Sequence, residues 1–220
     1  MTKIMTQDEE IKRGPGRPKH STVERLPIGR EEHEEILLHV AQCVVKQSIA
    51  DKLVKMCTIL HHTGLRASEL RLITKGDIMS AIEEGSRQGK FSLSNDTKTN
   101  TTRLIRLSRK GIEEFRELFD VGWEDHERHE RLFLNKKGKV LTAGGIVKLL
   151  NNNIKKALAS KLYSSHSYRS GLCTDLLNPK KGNIPANIVQ QIIGHKNLQT
   201  TLKYNFASEE DLADALERVR

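Results

Sequence analysis

A chain of 220 residues has room for one sizeable hydrophobic core and little beyond it. Its formal charge of +9, with 30% of residues charged, points to a polyanionic partner, while 4% aromatic content excludes a stacking platform for single strands. No apolar run reaches the length of a bilayer span, the polar start excludes a secretory signal, and three widely spaced cysteines exclude a disulfide framework.

Residues 1–30 lack periodicity and carry Gly14, Pro15, Gly16, Pro18 and Pro27, which reads as a flexible basic tail. Within it, Lys12-Arg13-Gly14-Pro15-Gly16-Arg17-Pro18-Lys19 resembles an AT-hook, whose Gly-Arg-Pro core lies extended in the minor groove of A·T-rich DNA while flanking cations meet phosphates. Arg13, Arg17 and Lys19 are the DNA contacts this implies. Pro15 departs from the usual arginine-glycine run, and a plain basic linker is the competing reading.

From Arg30 to His62, apolar residues recur at helical spacing: Ile36, Leu37, Val40 and Val44, then Leu53, Val54, Cys57 and Leu60. This predicts two packed helices, the second capped by Ser48. Cys43, Cys57 and Cys173 sit in such stretches and read as buried thiols of a reducing, cytoplasmic compartment. His61 and His62 lack a second cluster to complete a metal site, so a structural role is favoured and no metal is expected. Gly64 then stops the helix and puts Arg66 at a junction, with Glu69 near enough to orient its guanidinium. An ordinary surface Arg–Glu pair has the same spacing.

Two short strands follow, about 90–94 and 102–108, joined by turn-forming residues that set Lys98 at or near a hairpin tip, with Lys90 and Arg103 as neighbours. Residues 110–119 form an amphipathic helix with Ile112, Phe115, Leu118 and Phe119 inward. Thr142 caps another, whose Ile146, Leu149, Leu150 and Ile154 turn inward while Lys148, Lys155 and Lys156 face DNA phosphates or solvent.

The last quarter of the chain holds four groups suited to a phosphodiester: His166, Arg169, His195 and Tyr204. His166 and Arg169, three residues apart, share one face of a predicted helix, so an imidazole and a guanidinium can converge on one phosphate. Gly194 closes the apolar run before it and leaves His195 in a turn. Tyr204 follows at the end of a short helical segment. Beyond it, 208–219 carries one apolar stripe, Leu212, Ala215, Leu216 and Val219.

The order His-x-x-Arg, Gly-His and a downstream tyrosine, with Thr63-Gly64-Leu65-Arg66-Ala67-Ser68-Glu69-Leu70 before it, resembles the catalytic half of the tyrosine recombinases, the phage integrase family. The resemblance implies an α+β, mainly α-helical catalytic domain over 31–220 with a small antiparallel β-sheet. It further implies that 208–219 is an assembly helix, with folding back on its own core as the competing reading. The activity it implies is site-specific cleavage and rejoining of DNA through a 3′-phosphotyrosine, without metal or nucleotide cofactor. Arg66 and Arg169 would clamp the non-bridging oxygens, which His195 would also hydrogen-bond. Tyr204 would be the nucleophile, His166 its base, and Lys98, by its place on the hairpin, the acid for the 5′-oxygen. Implied partners are double-stranded DNA, three further copies in a tetramer on DNA, and accessory DNA-bending proteins; the implied location is the nucleoid.

Two positions depart from the family pattern: Ser170 and Asn205 stand where many members have histidine. The helical DNA clamp that precedes most catalytic domains is not recognisable here, as in the short recombinases that invert fimbrial genes or in a truncated or engineered catalytic fragment. A DNA-binding regulator retaining the fold, or an enzyme like the type IB topoisomerases, are the alternatives.

Overall fold

The computed structural model describes residues 25–83, 90–94, 102–119 and 122–204, together with residue 217. The elements in order are α1 (Arg30–Cys43), α2 (Gln47–Thr63), a 3-10 turn (Ala67–Leu72), α3 (Lys75–Ile82), β1 (Lys90–Ser94) and β2 (Thr102–Arg106). They continue with α4 (Arg109–Leu118), a short 3-10 turn (Asp125–Glu127), α5 (Ala143–Ala157), α6 (Ser165–Leu177), α7 (Ala186–Ile193) and α8 (Leu198–Leu202). The architecture is therefore mainly helical with one small antiparallel sheet. In that sheet Lys90 pairs with Arg106 and Ser94 with Thr102. Among the described residues no helix is long and apolar enough to cross a membrane.

Helices α1, α2, α5 and α6 pack on one another around Ile36, Val40, Leu53, Met56, Ile59, Leu60, Leu150 and Ile154, all fully buried. The periodic positions of the sequence are the positions that face this core, as a 3.6-residue repeat requires. Thr142 caps α5 by accepting the Gly145 N–H (3.1 Å), and Ser108 caps α4 through Gly111. A second, smaller cluster, Cys173, Leu177, Val189 and Ile193, joins α6 to α7, and the Tyr204 ring packs against it.

Three expectations change. α2 starts at Gln47 with Lys46 at its cap, so Ser48 lies inside the first turn and caps nothing. Cys43 is exposed, as the last residue of α1, three positions past Val40, where the buried stripe ends; Cys57 and Cys173 are buried. Packing also begins earlier than a tail through residue 30 implies. Ile28 is 1% exposed, its N–H donates to the Ser167 carbonyl (3.0 Å), and the Leu26 N–H donates to that of Leu162 (3.3 Å).

Candidate active site

The site is built where two glycine-terminated helices meet α6. Gly64 ends α2 in the left-handed region (φ +57°) and Gly194 ends α7 likewise (φ +72°), conformations costly for residues with a Cβ. Space adds to the constraint at Gly64, where a Cβ would come within 3.0 Å of Leu172 Cδ2 and 3.1 Å of Ile193 Cδ1. Each stop releases one functional side chain, Arg66 and His195.

Arg66 stands in extended backbone at the start of the 3-10 turn and is half-exposed. Glu69, buried beneath it, accepts from both the Arg66 backbone N–H (2.7 Å to Oε2) and Nη1 (2.9 Å to Oε1). One carboxylate thus fixes both ends of the arginine, a charge-assisted arrangement that leaves the rest of the guanidinium facing outward.

Arg169 is its buried counterpart on α6, 2% exposed. Its Nη1 donates to the Gly64 carbonyl (2.9 Å) and its Nε to His195 Nε2 (3.3 Å). Because His195 Nε2 accepts there, the ring proton belongs on Nδ1, which donates to Thr201 Oγ1 (2.9 Å). His195 as it stands therefore accepts at Nε2, and it donates to a phosphate oxygen from that atom only after a proton is gained or relocated. Its backbone is held by Gln190, which receives the His195 N–H at its carbonyl (3.0 Å) and returns a side-chain N–H to the His195 carbonyl (3.1 Å).

Tyr204 follows the last turn of α8, its N–H donating to the Thr201 carbonyl (3.0 Å). Its ring lies nearly parallel to that of His195, with centroids 6.3 Å apart, and its hydroxyl accepts from Ser170 Oγ (3.3 Å). His166 shares a cavity of about 500 Å³ with Tyr204, Ser170, Thr174, Lys203 and the segment Arg25-Leu26-Pro27. Desolvation by the surrounding protein, then the cations Arg169, Arg66 and Arg25, hold the His166 imidazole below its usual range. It is thus neutral at pH 7 and able to accept a proton. Among the described residues no hydrogen bond joins His166 to Tyr204; they face one space.

Arg66, His166, Arg169, His195 and Tyr204 thus gather around one site, with Glu69 supporting the first. Lys98, the tail residues Arg13, Arg17 and Lys19, and the segment 208–219 lie outside the described residues. Lys148, Lys155 and Lys156 are exposed on α5. Sequence reading overlooked Thr201 and Arg25. Thr201 has no signal beyond its place between a turn histidine and a tyrosine, and Arg25 lies among residues that read as tail. Ser170 is visible only as a departure from a pattern.

A model described as the phage integrase family matches residues 28–211. Tyrosine recombinase XerC of Staphylococcus aureus is 30% identical over 210 residues, covering 94% of this chain and 66% of the relative. XerC of strain JH9 is 29% identical over 182 residues, covering 83% and 57%. The chain thus spans between 57% and 66% of the length of these curated relatives. Among solved structures, XerA recombinase superposes with TM-score 0.61 at 17% identity, over 94% of this chain and 67% of that one. The Tn1549 transposon integrase in complex with transposon right end DNA gives 0.64 at 23%, over 90% and 67%. XerH bound to its difH substrate gives 0.61 at 23%, over 90% and 55%. These likenesses establish the fold.

Proposed function

The chain belongs to the phage integrase family, and from that premise we propose that it is a site-specific DNA recombinase which cleaves and rejoins strands through a 3′-phosphotyrosine on Tyr204. The observation that carries this reading is the docking of Tyr204 on its own chain, hydroxyl on Ser170 and ring beside His195, with Arg169 bonded to that same histidine.

A phosphodiester resists attack because the nucleophile meets negative charge and the leaving alkoxide is poor. Arg66 and Arg169 supply planar cationic forks for the non-bridging oxygens, where charge builds in the transition state. A phosphate oxygen arriving at Arg169 competes with His195 for the Nε proton, and the freed imidazole, once it carries a proton on Nε2, donates to the phosphate. His166, neutral and facing the cavity, takes the tyrosine proton as oxygen attacks phosphorus. Lys98 is assigned the proton for the departing 5′-oxygen. The covalent bond keeps the free energy of the broken one, so a 5′-hydroxyl from a second duplex can displace Tyr204 without a nucleotide. Strand exchange on this scheme needs double-stranded DNA and a tetramer assembled on it, with the segment 208–219 as the contact between copies and accessory DNA-bending proteins as further partners. It places the protein in the cytoplasm, at the nucleoid.

The test compares wild type with Tyr204→Phe on nicked duplexes tiled across the DNA flanking the gene, on denaturing and native gels. A denaturant-resistant adduct formed by wild type and lost in the variant is expected. Specific native binding with no adduct from either form would overturn the recombinase reading in favour of a regulator.

A further inference from the structure

Thr201 is fully buried on α8, and among the described residues its hydroxyl has one hydrogen-bond partner, His195 Nδ1 at 2.9 Å. A hydroxyl both donates and accepts, so it can take either side of that bond. Across the ring, Arg169 Nε donates to His195 Nε2 (3.3 Å) and so keeps the ring proton on Nδ1. Thr201 is then the acceptor, and its own proton has no acceptor among the described residues. The backbone of the same residue holds the nucleophile, since the Thr201 carbonyl accepts the Tyr204 N–H (3.0 Å). One residue thus touches both the histidine ring and the chain of the tyrosine.

A phosphate arriving at Arg169 changes which arrangement satisfies every group. Its oxygens accept from Arg169 and offer Nε2 a further acceptor, so Nε2 must now carry a proton. That proton can be gained, which makes the buried ring a second cation against Arg169, or relocated from Nδ1, which leaves the ring neutral. Relocation alone uses the spare proton of Thr201. With Nδ1 bare, the hydroxyl turns about its Cβ–Oγ1 bond and donates to it. The proton leaving Nδ1 passes to water and another reaches Nε2 from water, so the ring gains no charge. Arg169 from α6 and Tyr204 from beyond α8 are the titratable neighbours shown facing the ring, and neither changes charge in this step.

We propose that Thr201 is a positioning residue for His195, a role that rests on the recombinase reading of the site. Its hydroxyl accepts from Nδ1 in the free protein and donates to Nδ1 once phosphate is bound, so that a neutral His195 donates to the phosphate from Nε2. Thr201 acts on the phosphate only through that ring. Serine keeps both hydrogen-bonding roles, whereas valine keeps the branched shape and loses both.

Two measurements on the full chain test it. Nitrogen NMR on protein isotopically labelled at histidine reads the ring protons of His195 directly. The free protein is expected to hold one proton, on Nδ1. Tyr204→Phe bound to a nicked duplex, which keeps the complex unreacted, is expected to hold one proton, on Nε2. A ring protonated on both nitrogens in the complex, or still on Nδ1 alone, would overturn the proposal. Single-turnover adduct formation is then compared for wild type, Thr201→Val and Thr201→Ser. Valine is expected to slow it about tenfold and serine to restore most of the rate. A valine variant as fast as wild type, or a serine variant no faster than valine, would make Thr201 a packing residue and overturn its positioning role. The NMR is read on a duplex bound in native gels, whether or not it is cleaved. No adduct from wild type on any duplex would therefore overturn the Tyr204 reading, while the proton position still decides what Thr201 does.

Discussion

Ser170 is the residue whose chemistry is least expected from its neighbours. It sits one turn beyond His166 and beside Arg169, almost fully buried, and its hydroxyl meets that of Tyr204 at 3.3 Å. A neutral hydrogen bond of this length contributes on the order of 1 kcal/mol. Ser170→Ala is therefore expected to slow single-turnover adduct formation about fivefold, with Ser170→Thr restoring most of the rate. An alanine variant reacting as fast as wild type would show that the contact does not position the nucleophile. Glu69 makes a different kind of contribution. Its partner Arg66 is half-exposed, so the ion pair itself adds little stability. What Glu69 adds is direction, because one carboxylate binds both the backbone and the guanidinium of Arg66. Glu69→Gln is expected to lower the adduct rate about tenfold or more with a melting temperature close to wild type, consistent with losing an oriented transition-state contact. A fall in stability without a fall in rate would contradict this.

At the scale of elements, what the sequence makes legible is local chemistry. Gly64 and Gly194 read as helix stops because a positive φ is something one residue type announces, and both have it. The Thr142 cap, the hairpin strands and the inward faces of α1, α2 and α5 are legible for the same reason: spacing and capping are set within a few residues. The strap 25–29 was not legible. Ile28 lies among prolines and charges with no period, and its burial depends on Gly171, distant in the chain. The Arg169–His195–Thr201 relay was half legible, its first two members through motif order and its third only through the fold. Gly171 gives the element-scale prediction. Gly171→Ala forces a Cβ into the Ile28 backbone, so strap or helix must move. Overpacking of this kind costs about 1–3 kcal/mol. Urea melts should show that loss, and proteolysis near Arg25 should accelerate more than proteolysis elsewhere. Cleavage at Arg25 unchanged from wild type would mean that the strap is not held by this contact.

The molecule as a whole is held by a core with a histidine stack inside it, and this sets its response to acid. His33 of α1 and His61 of α2 stack face to face, ring centroids 4.2 Å apart, with His62 edge-on to His61 and Tyr168 of α6 edge-on to both His33 and His61. His33 Nδ1 meets the Tyr168 hydroxyl at 3.2 Å, while its buried Nε2 has no hydrogen-bond partner among the described residues. Burial first, then the neighbouring histidines and Arg30, pull His33 down to about 3 and His61 to about 4, against weaker opposite pulls from Glu114 on both and Asp175 on His61. In the unfolded chain both titrate near 6.5. The unfolded state therefore binds more protons between pH 6.5 and about 4, and stability falls as pH falls through that window. Each histidine contributes a slope of about 1.4 kcal/mol per pH unit. Glu114 acts in the same direction lower down. Burial pushes its carboxyl up, but hydrogen bonds from His62 and Arg30 outweigh this and hold it at about 2, so its contribution is lost only below pH 4.5. Urea midpoints at pH 7, 6 and 5 should drop steadily with unchanged cooperativity, and His33→Gln should make the drop shallower by removing one titrating group. A midpoint flat from pH 7 to 5 would mean that the stacked imidazoles are hydrated well enough to charge in place. The three helices they join would then owe their packing to the aliphatic core alone.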